Sequence, residues 1–263
     1  MPNLDKYIKF QESYVHELEK RPFMGYTIKN LKEYLEYREI NLKLIEDLFL
    51  DNLNDYYIFA QPSFHLVQAN HAIMINGSHL SEAIVKYKED NWISGYVLLH
   101  FYADYFEILR MEYSALGKKI RKESNDELPF TSIARAYPYT EEMFEGCINK
   151  FRNAPSHLQY LIDDNHKIYL YHKDSMEKEE VNFDIFLNNI MKMSVVHISL
   201  ITARIKARVK VLRSITEKIS ESEASEIDKS FEGLSTEAPL KKAYEFLDDY
   251  KKKLGNNKKE IDS

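Results

Sequence analysis

The sequence predicts an all-α fold, a helical bundle built from long helices. Only 7 of its 263 residues are Gly and 7 are Pro, so the residues that end helices and form tight turns are scarce. Hydrophobic residues make up 44% of the chain, which is enough for a substantial core. Apolar side chains also recur at three- and four-residue steps over much of its length. Together these observations favour long amphipathic helices over a turn-rich β-sandwich.

Three helical segments are predicted before residue 90. Residues 3–20 carry apolar side chains at helical spacing, and Pro22 ends the segment. A second helix is predicted from about residue 30 to residues 56–59. A third covers about residues 64–89, with a turn signal at Asn76-Gly77-Ser78.

The best-defined helix is predicted from Asn91 to Arg121. Its apolar residues at helical spacing are Trp92, Tyr96, Leu99, Tyr102, Phe106, Leu109, Tyr113 and Leu116. Residues 122–138 are polar and contain two prolines, so a loop is expected there. Thr140 is then expected to cap the next helix, with two glutamates in its first turn.

Beyond residue 160 the apolar period changes from helical to alternating. Residues 168–172 alternate as a strand does, a turn is expected at 163–165, and residues 179–183 are predicted as the partner strand of a small β-hairpin. A long helix follows from Asp184 to about Ile219.

We therefore divide the chain into an N-terminal helical extension (1–63), a helical domain (64–219) and a polar C-terminal tail with one amphipathic helix (220–263). The single cysteine, Cys147, excludes an internal disulfide framework and fits a reducing cytoplasm. The amino terminus lacks the pattern of a signal peptide, and no apolar run reaches the roughly 20 residues that span a bilayer. We expect a soluble cytoplasmic protein that makes no membrane contact.

The residues that most clearly suggest a catalytic function are those of the stretch Arg152-Asn153-Ala154-Pro155-Ser156-His157. Arg152 is a permanent cation whose fork of donors suits phosphate, and His157 is of the residue type that most often accepts or donates protons in catalysis. The chain contains no other Arg-x-x-x-x-His. Such a pair suits the cleavage of an RNA phosphodiester without a metal ion.

Other chemistries find no support in the sequence. It contains no G-x-G-x-x-G, no P-loop, no H-E-x-x-H and no G-x-S-x-G. The scattered His65, His71 and His79 have no matching carboxylate pattern, so neither a metal nor a cofactor is expected. The net charge of -6 excludes a protein that is basic throughout, so any nucleic-acid contact must be local.

The spacing of Arg152, Asn153 and His157 resembles the hallmark of the HEPN superfamily, the helical "higher eukaryotes and prokaryotes nucleotide-binding" domains. The order of elements is similar too, with a long aromatic-rich helix before the motif and a strand and a final long helix after it. The resemblance covers about residues 64–217 and implies a HEPN-like domain there.

The resemblance implies an endoribonuclease that acts as a toxin or phage-defence effector. Arg152 is expected to bind phosphate, with Asn153 beside it, and His157 to act as general acid or base. The resemblance also implies a homodimer in which both Arg–His sets face one cleft, and an antitoxin or other protein partner.

Pro155 departs from the family pattern, because an interior proline costs a helix about 3 kcal/mol. We expect the helix to kink or stop between Arg152 and His157. An alternative is therefore a HEPN-like module that has lost catalysis and binds RNA or proteins. A third interpretation is a helical adaptor unrelated to RNA, which docks a partner through the amphipathic helix of its tail.

Two further groups of residues are candidates for supporting roles. Residues 185–216 contain no Asp or Glu, and their cations are either RNA-binding or the solvated face of a helix: Lys192, Arg204, Lys206, Arg208, Lys210 and Arg213. His100, Asp104 and Glu107 line one side of the long helix at i, i+4 and i+7. They either orient His157 and line its cleft or form a self-satisfied polar strip.

Overall fold

The computed structural model describes residues 2–20, 28–49, 92–120, 128–165, 167–171, 177–217 and 221–230, and these are mostly helical. The helices are α1 (Pro2–Lys20), α2 (Ile28–Phe49), α3 (Trp92–Ile120), α4 (Pro129–Ala136), α5 (Asn149–Ser156), α6 (Phe183–Thr216) and α7 (Glu221–Ser230). The strands are β1 (Tyr160–Ile162), β2 (Ile168–Tyr171) and β3 (Lys178–Glu180). The predicted helical class is confirmed, and the small hairpin proves to be part of a three-stranded sheet.

The chain divides into two compact units. One contains residues 1–14 and 212–263, and the other contains residues 15–211. In the first unit, the Asp228 carboxylate accepts hydrogen bonds from the backbone N–H groups of Asn3 and Leu4, both at 3.0 Å. The predicted boundary at residues 63 and 64 lies outside the described residues, as do the predicted helices at 64–89 and in the tail beyond residue 230. The candidate site lies in the second unit.

Helix α3 supplies the centre of the core in the second unit. Its apolar side chains recur at helical spacing from Trp92 to Leu116, which is why its observed ends lie within one residue of the predicted ends. The aromatic side chains of Tyr102, Tyr105, Phe106 and Tyr113 are completely buried. Helix α6 packs its own apolar face into the same cluster through residues such as Phe186 and Met193.

The expectation of a loop over residues 122–138 is wrong for Pro129–Ala136, which form α4. Pro129 lies in the first turn of α4, where a backbone N–H would have no acceptor within the helix. Proline therefore loses no helical hydrogen bond there. Phe130 and Ile133 are one helical turn apart and both are buried. Gly117 on α3 permits this contact, since a Cβ there would lie 2.9 Å from Cβ of Pro129. Tertiary packing therefore makes a helix of a segment whose polar composition predicted a loop.

The helix expected after Thr140 is also wrong. Residues 138–144 form two short 3₁₀ turns instead, Pro138–Thr140 and Glu142–Phe144. The Thr140 hydroxyl donates backward to the Tyr137 carbonyl at 2.8 Å rather than capping a following helix. The next α-helix begins only at Asn149.

The sheet is antiparallel, in the order β1-β2-β3. Tyr160 pairs with Leu170, and Tyr169 pairs with Glu180. The strand predicted over 168–172 is confirmed for residues 168–171, and so is the turn at 163–165, where the Asp163 carboxylate accepts the Asn165 N–H at 2.9 Å. The partner strand predicted over 179–183 is observed at Lys178–Glu180, and Phe183 instead begins α6. Strand β1 escaped prediction because three residues are too few to show a period.

Helix α6 departs from the expectation that no apolar run is long enough to span a bilayer. Among the described residues, the helical stretch Asp184–Ser214 is long and apolar enough to cross a membrane by length and composition. However, 61% of its most apolar part is buried within the protein, and it carries the buried polar residues His197, Thr202 and Arg204. These properties fit the core helix of a soluble protein.

A candidate phosphate-binding site on helix α5

Helix α5 carries the Arg–His motif and is anchored on α3. Phe151 is buried, with its ring edge-on to Tyr102 at 5.5 Å between centroids and equally close to Phe186. The Tyr102 hydroxyl donates to the Gly146 carbonyl at 2.6 Å and accepts the Ile148 N–H at 2.8 Å. These bonds fix the chain where it enters α5. The half-buried side of α5 then presents the polar residues of the motif.

Pro155 lies inside α5, not beyond its end. The helix continues to Ser156, and His157 closes it by donating its backbone N–H to the Asn153 carbonyl at 3.0 Å. Leu158 then turns the chain with a φ of 52°, in the left-handed region. The helix therefore stops between Arg152 and His157, as expected, but it does so at Ser156 and is not interrupted at Pro155 itself. The proline is tolerated because it stands in the last turn and removes one hydrogen bond, to the Phe151 carbonyl.

Arg152 is the centre of a polar cluster. Its Nε donates to the Glu107 carboxylate, and its Nη1 donates to the Asn153 side-chain oxygen at 2.7 Å. The other Glu107 oxygen accepts a hydrogen bond from Arg110 Nε, also at 2.7 Å. Arg152 and Glu107 are each 31% exposed, so an external anion has access to the guanidinium. The structure thus brings together three of the predicted site residues: Arg152, Asn153 and Glu107.

His157 stands apart from that cluster. Its side chain is exposed at the end of α5, and among the described residues no hydrogen bond or ion pair holds it. In a regular helix, five residues correspond to a rotation of about 140°. Arg152 and His157 therefore project toward different sides of α5.

The predicted strip on α3 divides between two environments. Glu107 binds Arg152, whereas the His100 ring contacts Tyr96 and Tyr160. Asp104, between them, is exposed to solvent. Partial desolvation nevertheless raises the pKa of its carboxyl group, and the nearby His100 opposes this shift. His100 Nε2 is buried without a hydrogen-bond partner among the described residues. The strip is therefore not self-satisfied, and its members serve different neighbours.

The predicted basic face of α6 is largely occupied by carboxylates. Lys210 Nζ lies 2.5 Å from Glu46 Oε1, and Lys206 Nζ lies 3.9 Å from Glu39 Oε1. Arg213 is paired with Glu12, and Arg208 is half-buried. These contacts favour the solvated-face interpretation over an open RNA-binding surface.

Arg204 cannot contact RNA from its position in the core. Its side chain is only 10% exposed, and Nη1 donates to the buried Glu112 carboxylate. His197 Nε2 lies 3.9 Å from the other Glu112 oxygen, and the Tyr105 hydroxyl lies 3.2 Å from His197 Nδ1. Burial raises the pKa of Glu112, but His197 and Arg204 together outweigh it, so that the net shift is downward. This buried ionic cluster was not predicted.

A polar seam extends from that cluster to α2. The Tyr113 hydroxyl donates to Asn41 Oδ1 at 2.8 Å, and Asn41 Nδ2 donates to Ser199 Oγ at 2.9 Å. Tyr34 donates to the Thr202 hydroxyl at 3.0 Å. One sequence signal pointed to the seam: Glu112 interrupts an otherwise apolar stripe of α3, directly before Tyr113.

No group of three or more His, Cys, Asp or Glu side chains within the described segments is placed to hold a metal ion. His65, His71 and His79 lie outside those segments.

No protein-family model, no curated protein and no solved structure matches the chain.

Proposed function

We propose that the protein is a HEPN-like, metal-independent endoribonuclease that acts as a homodimer, as a toxin or phage-defence effector. The observation that carries the proposal is the Arg152 cluster. It consists of a half-exposed guanidinium, braced by Glu107 and Asn153, on a helix anchored to the core and ending in an exposed histidine.

The chemistry follows from the residue types. Two of the five N–H donors of Arg152 are used by Glu107 and Asn153, so three remain for the oxygens of a phosphate. Neutral His157 accepts the proton of the ribose 2′-OH while the 2′-oxygen bonds to phosphorus and the bond from phosphorus to the 5′-oxygen breaks. A protonated His157 supplies the proton that the leaving 5′-oxygen needs. General acid–base help of this kind is typically worth about 10²–10⁴-fold.

The positions of the two residues on α5 favour a dimeric site. One histidine cannot serve both ends of an in-line displacement, and Arg152 and His157 of one protomer project toward different sides. A two-fold interface supplies a second His157 from a partner copy. Leu158, which follows His157 directly, is 80% exposed, and a partner copy would cover this apolar side chain.

A second candidate function is a catalytically inactive HEPN-like module that binds RNA or another protein. One observation favours it: the Arg152 guanidinium is held by Glu107, while the side chain of His157 makes no hydrogen bond to that cluster among the described residues. In such a module Arg152 still binds phosphate, but no proton transfer follows.

Incubation of single-stranded RNA with the full-length protein in EDTA tests the proposal. We expect cleavage by the wild type that leaves 2′,3′-cyclic phosphate ends, and its loss in Arg152→Ala and His157→Ala. Arg135→Ala and His16→Ala, which change exposed residues elsewhere, are the matched controls and should cleave normally.

Three outcomes separate the alternatives. Equal cleavage by the wild type and both site variants contradicts the nuclease. RNA that is bound through Arg152 but left intact by the wild type selects the inactive module. Failure of the protein both to bind and to cleave RNA leaves two protein-binding interpretations, the inactive module and the adaptor.

A further inference from the structure

Three rings form an aromatic cluster at the surface beside α5. Tyr96 lies near the start of α3, with its ring centroid 4.2 Å from that of His100. Tyr160, the first residue of β1, lies 6.1 Å from Tyr96 and 6.2 Å from His100, almost perpendicular to the latter. The cluster thus joins α3 to the strand that follows the Arg–His motif.

Tyr96 differs from the other tyrosines of α3. It is 42% exposed, whereas Tyr102, Tyr105 and Tyr113 are each 0% exposed. The apolar period of the sequence assigned Tyr96 to the core together with them. Its ring instead presents apolar area to solvent while its inner side packs on His100, which is the arrangement of a rigid stacking platform. Burial and the adjacent Tyr96 raise the pKa of Tyr160, so that phenol stays uncharged.

Tyr96 and His100 lie on the same face of α3 as Glu107, the residue that contacts Arg152. Arg152 contacts Glu107 on α3, and Tyr160, farther along the chain, contacts His100. From residue 100 to residue 107 an α-helix rises about 10 Å. Along the axis of a nucleic-acid helix, the nucleotides of one strand follow one another at about 3.4 Å, so a strand with stacked bases covers that distance in about three nucleotides.

We propose that Tyr96, supported by His100 and Tyr160, stacks an unpaired nucleobase of the RNA whose phosphate binds Arg152. The inference rests on the proposed function for its ligand and adds a subsite for an unpaired base beside the phosphate-binding arginine. A duplex is a poor ligand because its bases are already stacked on one another and offer no free face. The adjacent guanidinium favours a polyanion over an apolar protein segment as the occupant of the platform.

Binding measurements on uncleavable complexes test the inference separately from catalysis. Full-length His157→Ala protein is titrated with a labelled ten-nucleotide single strand and with a duplex of the same sequence. A single aromatic stack is worth about 1–3 kcal/mol by alanine substitution. Adding Tyr96→Ala should therefore weaken single-strand binding by about 5- to 150-fold, and Tyr160→Ala should weaken it in the same direction. Tyr96→Phe, which keeps the ring, should bind normally, as should the control Tyr7→Ala, which changes a tyrosine of the other compact unit.

Each outcome decides between the two proposals. Binding that depends on Tyr96 in a protein whose wild type does not cleave upholds the platform and removes the nuclease. Cleavage and binding that are unchanged by Tyr96→Ala overturn the platform and leave the nuclease intact. A preference for the duplex also overturns it. If Tyr96→Ala leaves RNA binding unchanged but dissociates a dimer in sedimentation, the cluster is a subunit contact instead.

Discussion

Two glutamates of α3 pair with arginines of other helices, and the two pairs differ in burial. In the pair of Glu107 and Arg152 each side chain is 31% exposed, whereas in the pair of Glu112 and Arg204 the values are 2% and 10%. A half-exposed pair exchanges readily with solvent ions and contributes little to stability, so its arginine remains available to a phosphate. The arginine of a buried pair is not available to a ligand, because removing it from its partner leaves an unpaired charge in the core. Burial therefore separates a candidate binding arginine from a structural one of the same chemistry.

Breaking the buried pair should give the largest effect on stability. Arg204→Met leaves the Glu112 carboxylate without its main partner, and we expect the free energy of unfolding to fall by about 3–5 kcal/mol. Urea denaturation of the full-length protein followed by circular dichroism measures it. The double variant Glu112→Gln/Arg204→Met should recover much of the loss, since no uncompensated charge remains. A double variant no more stable than Arg204→Met would contradict this account of the pair.

The same pair predicts a dependence of stability on pH. The pKa of Glu112 is lower in the folded protein than its unfolded value of 4.5, because His197 and Arg204 favour the carboxylate. Its contribution is therefore complete above about pH 4.5 and is lost as the pH falls through the lower, folded value. Urea midpoints measured between pH 3 and pH 7 should fall more steeply for the wild type than for Glu112→Gln over the acidic part of that range. Parallel curves would show that Glu112 does not contribute.

The contrast between the two pairs also shows what the sequence could and could not predict. The bounds of α3 and α6 follow from local apolar periods, and so do β2 and its turn. Arg204 stands in the same basic run as Lys206 and Lys210, and no local pattern distinguishes it from them. Its partner Glu112 is distant in the chain, as Glu107 is from Arg152, so only tertiary packing defines either pair. The Arg–His motif and Glu107 could each be identified in the sequence, but the contact between Glu107 and Arg152 could not.

Neutralising Glu107 should have a smaller effect, and of a different kind. Glu107 competes with phosphate for the Arg152 guanidinium, and Glu107→Gln keeps its size while removing its charge. We expect affinity for single-stranded RNA to rise by about two- to fivefold and the free energy of unfolding to change by less than about 1 kcal/mol. Fluorescence anisotropy at two salt concentrations measures the affinity, with the exposed Glu141→Gln as control. A loss of affinity would identify Glu107 as a brace that Arg152 needs rather than as a competitor.

Replacing Pro155 should have the smallest effect of all. Since α5 already continues through Pro155 and His157 already donates its N–H to the Asn153 carbonyl, Pro155→Ala does not need to rebuild the helix. The alanine adds a donor toward the Phe151 carbonyl, worth about 1 kcal/mol, but removes a buried ring of comparable value. We therefore expect cleavage to change by less than about threefold. Cleavage that appears only in Pro155→Ala, when the wild type is inactive, would show that the proline itself disables the site. The Arg152 cluster would then be an intact binding site on a helix whose catalytic end is misplaced.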